Sequence, residues 1–275
     1  MGGAVTFARD GQVVTVTLSH PGKLNAISAG MWQALATGFA ALAAEVADAA
    51  NAAKAGDAAA RPPRCVVVRG ADGNFAAGAD IAEFPMVRGD EAAVRRYHAE
   101  IIAPALRAIA ECPLPTLAAI EGVCVGGGLE IACNCDLRVA AAGSRFGVPI
   151  NRLGFPMAPG ELQGLLALAG RAVTLEILLE GRVFDAAEAA AKGLLTRVVP
   201  EAALHDEVAA TVQRLCAGAP LAARINKATI RRLSPAPAPL TAAELDAHFA
   251  YAGSRDHAEG VAAFLAHRPP DFTGE

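Results

Sequence analysis

Residues 13–18 read Val-Val-Thr-Val-Thr-Leu, an alternation in β-branched residues that predicts a half-buried strand. His20-Pro21-Gly22 ends it in a turn, and Ser28 stands where an N-cap would open a helix from Ala29 into the 40s. Residues 48–63 are polar, alanine-rich and close on Pro62-Pro63, which reads as a connector or a tolerated insertion. Cys65-Val66-Val67-Val68-Arg69 before Gly70 is a short apolar run, suited to a parallel strand covered on both faces. A Gly- and Ala-rich loop over 72–84 follows, then a helix over 91–111 closed by Cys112-Pro113. A strand over 116–120, a helix over 129–135 entered through Gly126-Gly127-Gly128, and a strand over 137–141 come next. Beyond this point the pattern turns helical: 161–168, 173–180 and 186–193, broken at Gly170 and Gly181, then 204–217, 221–233 and 241–266. The run Pro235-Ala236-Pro237-Ala238-Pro239 reads as a rigid joint. Strand–helix alternation with a helical last third predicts an α/β fold with right-handed crossovers. No repeat of fixed period is visible.

The chain has 275 residues, 53% hydrophobic and 19% charged, which excludes an intrinsically disordered chain and suggests one large domain or one domain with an appendage. Much of the apolar share is alanine and only 5% is aromatic, so close contacts between small side chains are expected. With 24 Lys+Arg against 28 Asp+Glu the net charge is −4. No basic stripe is present, so neither nucleic acid nor an anionic membrane is an expected partner. The six cysteines form no CxxC pair, and free buried thiols in a reducing compartment are expected rather than a metal site. Residues 24–44 carry no formal charge but include Asn25, Ser28, Gln33 and Thr37, which reads as an amphipathic helix rather than a membrane span. The start, MGGAVTFARD, lacks the apolar region of a signal peptide, and its match to the myristoylation pattern is taken as chance. A soluble, cytoplasmic protein is expected.

Two spots are rich in small residues: Phe75-Ala76-Ala77-Gly78-Ala79-Asp80-Ile81, and Glu121 to Glu130 with its Gly126-Gly127-Gly128 triplet. Each follows an expected strand and precedes a helical region. Small residues let a ligand approach the backbone, and a helix N-terminus offers free N–H groups. Two such donors aimed at one oxygen make an oxyanion hole. A tight turn and simple close packing account for the same residues equally well. The triplet lacks the GxGxxG spacing of a dinucleotide site and the Gly-Lys-Ser/Thr of a P-loop. Glu130, in the first helical turn, suits either a partner of the helix dipole or a general acid/base.

The chain resembles the crotonase (enoyl-CoA hydratase/isomerase) superfamily. The residues that carry this are His20-Pro21-Gly22-Lys23-Leu24-Asn25-Ala26, Ala77 to Ile81, Ala119-Ile120-Glu121-Gly122 and Gly126 to Ala132. Cys135-Asp136-Leu137-Arg138, Phe146-Gly147-Val148-Pro149, Leu153-Gly154 and the tail around Ser254-Arg255-Asp256, Glu259-Gly260 and Phe264–Arg268 continue it in order. The resemblance implies a crotonase-like spiral of ββα units over 1–198 with the acyl-CoA site, and a helical trimerisation region over 199–275. It implies a homotrimer or a hexamer of two trimers, and an acyl-CoA thioester as substrate, coenzyme A being part of the substrate and no separate cofactor or metal being needed. By position, the N–H groups of Ala79 and Gly127, with Gly128 beside them, would hold the thioester oxygen. Glu130 would be the acid/base. Lys23, Leu24 and Ala26 match the coenzyme path, with a phosphate contact for Lys23, and Ala77, Asp80 and Ile81 match the stretch near adenine and pantetheine.

One position departs. Hydratases of this family split water between two glutamates, and the second follows the proline of Phe-Gly-x-Pro. Here that residue is Ile150, which cannot transfer a proton and dries its side of the pocket, raising the Glu130 pKa. Ordinary two-glutamate hydration is therefore not expected. Glu130 alone could shuttle a proton between carbons. Alternatively the hole could serve decarboxylation, C–C cleavage or thioester hydrolysis, or another residue could replace the missing acid. For that last role Glu161, Asn151, Glu83, Tyr97 and His98 are all read first as solvated surface residues, Glu161 as the cap of a helix starting near Leu162. A non-catalytic acyl-CoA-binding protein is the rival from another class, and a scaffold for RNA is disfavoured by the charge.

Overall fold

A computed structural model describes residues 2–54, 62–234 and 239–274. Its main sheet has six strands in the order β1 (Ala4–Asp10), β2 (Val13–Ser19), β3 (Cys65–Gly70), β4 (Thr116–Ile120), β6 (Leu137–Ala141) and β9 (Arg197–Val199). β1 and β2 form an antiparallel hairpin, and every later pairing in this sheet is parallel. A smaller sheet joins β5 (Val123–Val125), β7 (Arg145–Gly147) and β8 (Phe184–Asp185). Isolated parallel bridges extend it: Ala76 pairs with Cys124, and Ala79 pairs with Ile27.

These pairings give the chain a repeating path. β2 enters the main sheet, the strip at Ile27 enters the small layer, and α1 (Ala29–Lys54) returns. β3, the strip 76–79 and then α2 (Phe84–Val87), α3 (Glu91–Arg96) and α4 (Ala103–Glu111) make the next turn. β4, β5 and α5 (Gly127–Asn134) make a third, and β6, β7 and α6 (Pro159–Glu180) a fourth. This is the expected spiral of ββα units. The helices α7 (Ala186–Ala191), α8 (Leu204–Ala217), α9 (Pro220–Leu233), α10 (Ala242–Phe249) and α11 (Arg255–Leu265) complete the chain.

The strand β2 follows its alternation, with Val14, Val16 and Leu18 buried in the core. α1 starts as expected, its Met31 N–H donating to Ser28 Oγ at 3.2 Å. It buries Met31, Trp32, Leu35, Phe39 and Leu42. It runs to Lys54, further than expected, because its alanine-rich end favours helix. The rest of that connector, 55–61, and the proline joint apart from Pro239 lie outside the described residues. The helix expected over 91–111 is interrupted by a π-helical stretch at Tyr97–Ile102. The helix expected over 241–266 is two helices, capped separately by Thr241 and by Ser254, with a 3₁₀ turn between them. The helices expected over 161–168 and 173–180 join into α6, which is kinked at Gly170 (φ 71°).

Arg138 shows how this fold uses a buried charge. It is buried, and its guanidinium donates to Leu194 O (Nε, 2.8 Å), Ala132 O (3.3 Å), Cys135 O and Asp136 O (3.3 Å). It therefore ties the end of α5 to the segment that leads into β9. α6 is long and apolar enough to cross a bilayer by length and composition, and only 17% of that apolar window is buried. Leu166, Leu175 and Leu179 of α6 and Leu221, Ile225, Ile230 and Leu233 of α9 are exposed.

Arg138→Met should unfold at markedly lower urea concentration, with a loss of about 3 kcal/mol or more, because several buried carbonyls lose a charged donor at once. Equilibrium denaturation measures this, and an unchanged midpoint would contradict the stapling role.

Candidate active site

The two small-residue strips meet beside one cavity of about 310 Å³. In the strip 76–80, Ala76 N–H donates to Val123 O (2.9 Å), Ala77 N–H to Leu24 O (3.0 Å) and Asp80 N–H to Ile27 O (2.9 Å). Gly78 O accepts from Ile27 N–H at 2.7 Å. In a parallel ladder the residue between two such bonds turns its own N–H to the other side. That residue is Ala79, and its amide faces away from Ile27, the side on which Val125 to Gly127 lie. α5 opens with Gly126 at φ 49°, and its first internal bond is Glu130 N–H to Gly126 O at 3.0 Å. The amides of Gly127 and Gly128 therefore have no acceptor inside the helix. Neither Ala79 N–H nor Gly127 N–H has a hydrogen-bond acceptor among the described residues.

Glycine is required for this approach. A Cβ on Gly128 would stand 2.4 Å from Ala76 O, and one on Gly127 would stand 2.9 Å from the Trp32 ring. Gly78, at φ 99°, lies against Val125 O and Gly126 Cα.

Ala77, Ala79, Ile81, Gly127, Glu130 and Ile150 line the cavity. Lys23, Leu24, Ala26, Asp80 and Gly128 do not line it. Lys23 Nζ instead donates to Asp80 Oδ2 at 2.7 Å, and Asp80 is buried and also caps the turn at Ile81–Glu83. Leu24 is exposed in a left-handed turn at φ 47°, held by the neighbouring Asn25, whose amide donates to Ala71 O and Asn74 O. Gly128 packs on Ala76.

The surface reading of three residues is overturned. Glu161, Tyr97 and His98 are buried, and Glu161 shares the cavity with Glu130. The first turn of α6 turns Glu161 inward, where its Oε1 lies 2.5 Å from His98 Nδ1 with one proton between them. His98 Nε2 lies 3.4 Å from the Tyr251 hydroxyl. The π-helical stretch widens the helix at this point, which sets both Tyr97 and His98 inward. Glu83 is half-buried and accepts from Ala29 N–H at 2.7 Å, capping α1. Asn151 donates to Leu179 O at 3.0 Å and does not line the cavity.

Burial dominates the electrostatics. It pushes Glu130 well above the ordinary carboxylate range, and the Glu161 charge adds to this while Arg88 opposes it. Glu161 is raised to about 8, again by burial and against Arg88. His98 is held well below its usual value by burial and by Arg88. Burial thus favours the protonated form of both carboxyls and the neutral form of the imidazole.

Sequence reasoning missed Arg88 altogether. It follows the single turn of α2 and is 9% exposed. Its Cζ lies 3.9 Å from the Phe84 ring centre, 4.4 Å from Phe155 and 5.1 Å from Tyr97. Phe84 four residues earlier was the only local hint. Tyr251 and Phe264, from the segment expected to serve assembly, also reach this region: Phe264 lines the cavity, and α11 docks so tightly that a Cβ on Gly260 would stand 2.4 Å from Leu153 C.

The folded chain holds Glu161 and Glu130 protonated where the unfolded chain ionises them, above about pH 4.3. Between there and about pH 8 the folded state binds more protons, so stability falls as pH rises. Glu161→Gln should therefore melt at a higher temperature than the parent at pH 8, and the gain should vanish at pH 4. Thermal melts at the two pH values check this, and no gain at pH 8 would contradict it.

Comparisons with known proteins agree with this architecture. The family model for enoyl-CoA hydratase/isomerase matches residues 8–275. A probable enoyl-CoA hydratase of Mycobacterium tuberculosis is 33% identical over 98% of this chain and 97% of its own. An enoyl-CoA hydratase/carnithine racemase from Magnetospirillum magneticum is 45% identical with a TM-score of 0.76, covering 98% of this chain and 96% of that one. Methylmalonyl-CoA decarboxylase in complex with 2-nitronate-propionyl-CoA is 26% identical with a TM-score of 0.81, covering 98% of both chains. The chain belongs to the enoyl-CoA hydratase/isomerase family, within the crotonase superfamily.

Proposed function

We propose that this chain is an acyl-CoA enzyme that works through a thioester enolate, with Ala79 N–H and Gly127 N–H holding the thioester oxygen and Glu130 and Glu161 moving the protons. One observation carries the reading: two unengaged amides and two buried carboxyls share one cavity. When a proton leaves the α-carbon, charge moves onto the thioester oxygen. Donors already aimed there gain most at that moment, and each is worth about 3 kcal/mol in sites of this kind.

Glu130 stands in the first turn of the helix whose amide holds the oxygen, so it is the group for the α-carbon proton. Glu161 takes the place of the acid that Ile150 lacks, from a different element. Its partner His98 can pass the proton on toward Tyr251. Two carboxyls that resist ionising together suit a reaction needing one as acid and one as base, which is the requirement of both addition–elimination and double-bond migration. The exposed leucines of α6 and α9 support assembly into a trimer or a pair of trimers through the helical region 199–275 and α6.

The test is a mass-spectrometric turnover screen over enoyl-CoA and 3-hydroxyacyl-CoA thioesters. For the best substrate found, Glu130→Gln and Glu161→Gln should each lower kcat by roughly 10²–10⁴-fold, the usual worth of a positioned acid/base. Unchanged turnover in Glu130→Gln would remove the central assignment. Unchanged turnover in Glu161→Gln would return the chemistry to Glu130 alone.

A further inference from the structure

Arg88 and Arg138 are both buried, and they differ in one respect. Arg138 spends its N–H groups on four backbone carbonyls. Arg88 Nε and Nη1 have no hydrogen-bond partner, and no carboxylate among the described residues lies within ion-pairing distance of it. A buried guanidinium in that state is costly, because it has left water without gaining an acceptor. The rings of Phe84, Phe155 and Tyr97 offset part of the charge. Ring faces do little for the Nε and Nη1 hydrogens, which still lack acceptors.

Arg88 lines the same cavity as Glu130 and Glu161. Neither carboxyl hydrogen-bonds or ion-pairs with Arg88, and burial favours the uncharged form of both carboxyls and of His98. Arg152 also lines the cavity but stands exposed. The aromatic end of the cavity therefore holds a buried cation that no side chain among the described residues pairs.

We propose that Arg88 is a specificity residue that binds a carboxylate carried by the acyl group of the substrate, so that the enzyme takes acyl-CoA thioesters with a second, free carboxylate. This rests on the acyl-CoA reading given above. A carboxylate supplies acceptors to a guanidinium in matching geometry and neutralises it inside a low-dielectric site. A plain alkyl chain would leave the cation buried and unpaired in the complex as well, and the cavity would then discriminate against it.

The test is isothermal titration of the intact protein with two matched pairs of saturated thioesters, glutaryl-CoA against butyryl-CoA and succinyl-CoA against propionyl-CoA, with free coenzyme A as a third ligand. At least one carboxylated member should bind roughly 10-fold to 100-fold more tightly than its partner, the range for a hydrogen bond to a charged group. Arg88→Met should erase that preference while leaving the affinities for butyryl-CoA and coenzyme A within about threefold of the parent's. Arg88→Lys should keep part of it. Equal binding within both pairs by the unsubstituted protein overturns the proposal without any variant. So does a preference that survives Arg88→Met, or a parallel loss of butyryl-CoA and free coenzyme A, which would place Arg88 on the coenzyme's phosphates. Failure of every thioester to bind would instead bring down the acyl-CoA reading, and this proposal with it.

Discussion

Two backbone strips, around Gly78 and around Gly127, pack against each other with no side chain between them, and the site depends on that contact. Gly78 tolerates it at φ 99°, and Gly128 must lack a Cβ because Ala76 O would lie 2.4 Å away. Each strip belongs to a different turn of the spiral, so their meeting is a property of the fold rather than of either loop. The parallel bridges at Ala79 and Ala76 fix the register of the first strip on both edges. The N-terminus of α5 fixes the direction of the second. The two amides thus face a common space without either needing a side chain.

The same contact sets what else can be present. A cavity walled by Trp32, Ile150 and the aromatic cluster buries both carboxyls, and burial raises both pKa values. Such groups reduce folding stability at neutral pH, and the chain retains two of them beside each other. Arg88 opposes the rise of each, so it moderates the pair electrostatically while remaining unpaired itself. Burial of the two carboxyls both sets their protonation and lowers folding stability at neutral pH.

The sequence patterns located the parallel strands β3, β4 and β6 and the helix α8 with little error, because each has a clear period or a clean boundary. They missed β1, although it alternates, and the three-residue strands β5, β7 and β9, which are too short to show a period. The ββα repetition was invisible for another reason. It is a repetition of path, and residues at equivalent places differ. Within the site, the glycines were legible because close approach demands a particular residue. Glu161, His98, Tyr97 and Arg88 were not. Glu161 and His98 are 63 residues apart, and a single polar residue at a helix start or beside Arg95 and Arg96 gives no local sign of burial. Their burial comes from α6, α10 and α11 closing over the spiral, which no local pattern encodes.

Polarisation of one carbonyl by the amides of Ala79 and Gly127 is the claim on which the chemistry stands. Infrared difference spectroscopy of a crotonyl-CoA labelled with ¹³C at the thioester carbonyl, bound to the protein against free in water, reads this directly. The expected result is a carbonyl stretch displaced to lower frequency on binding, since two fixed donors in a dry site polarise it more than water does. A stretch at or above its position in water, with binding demonstrated, would contradict it.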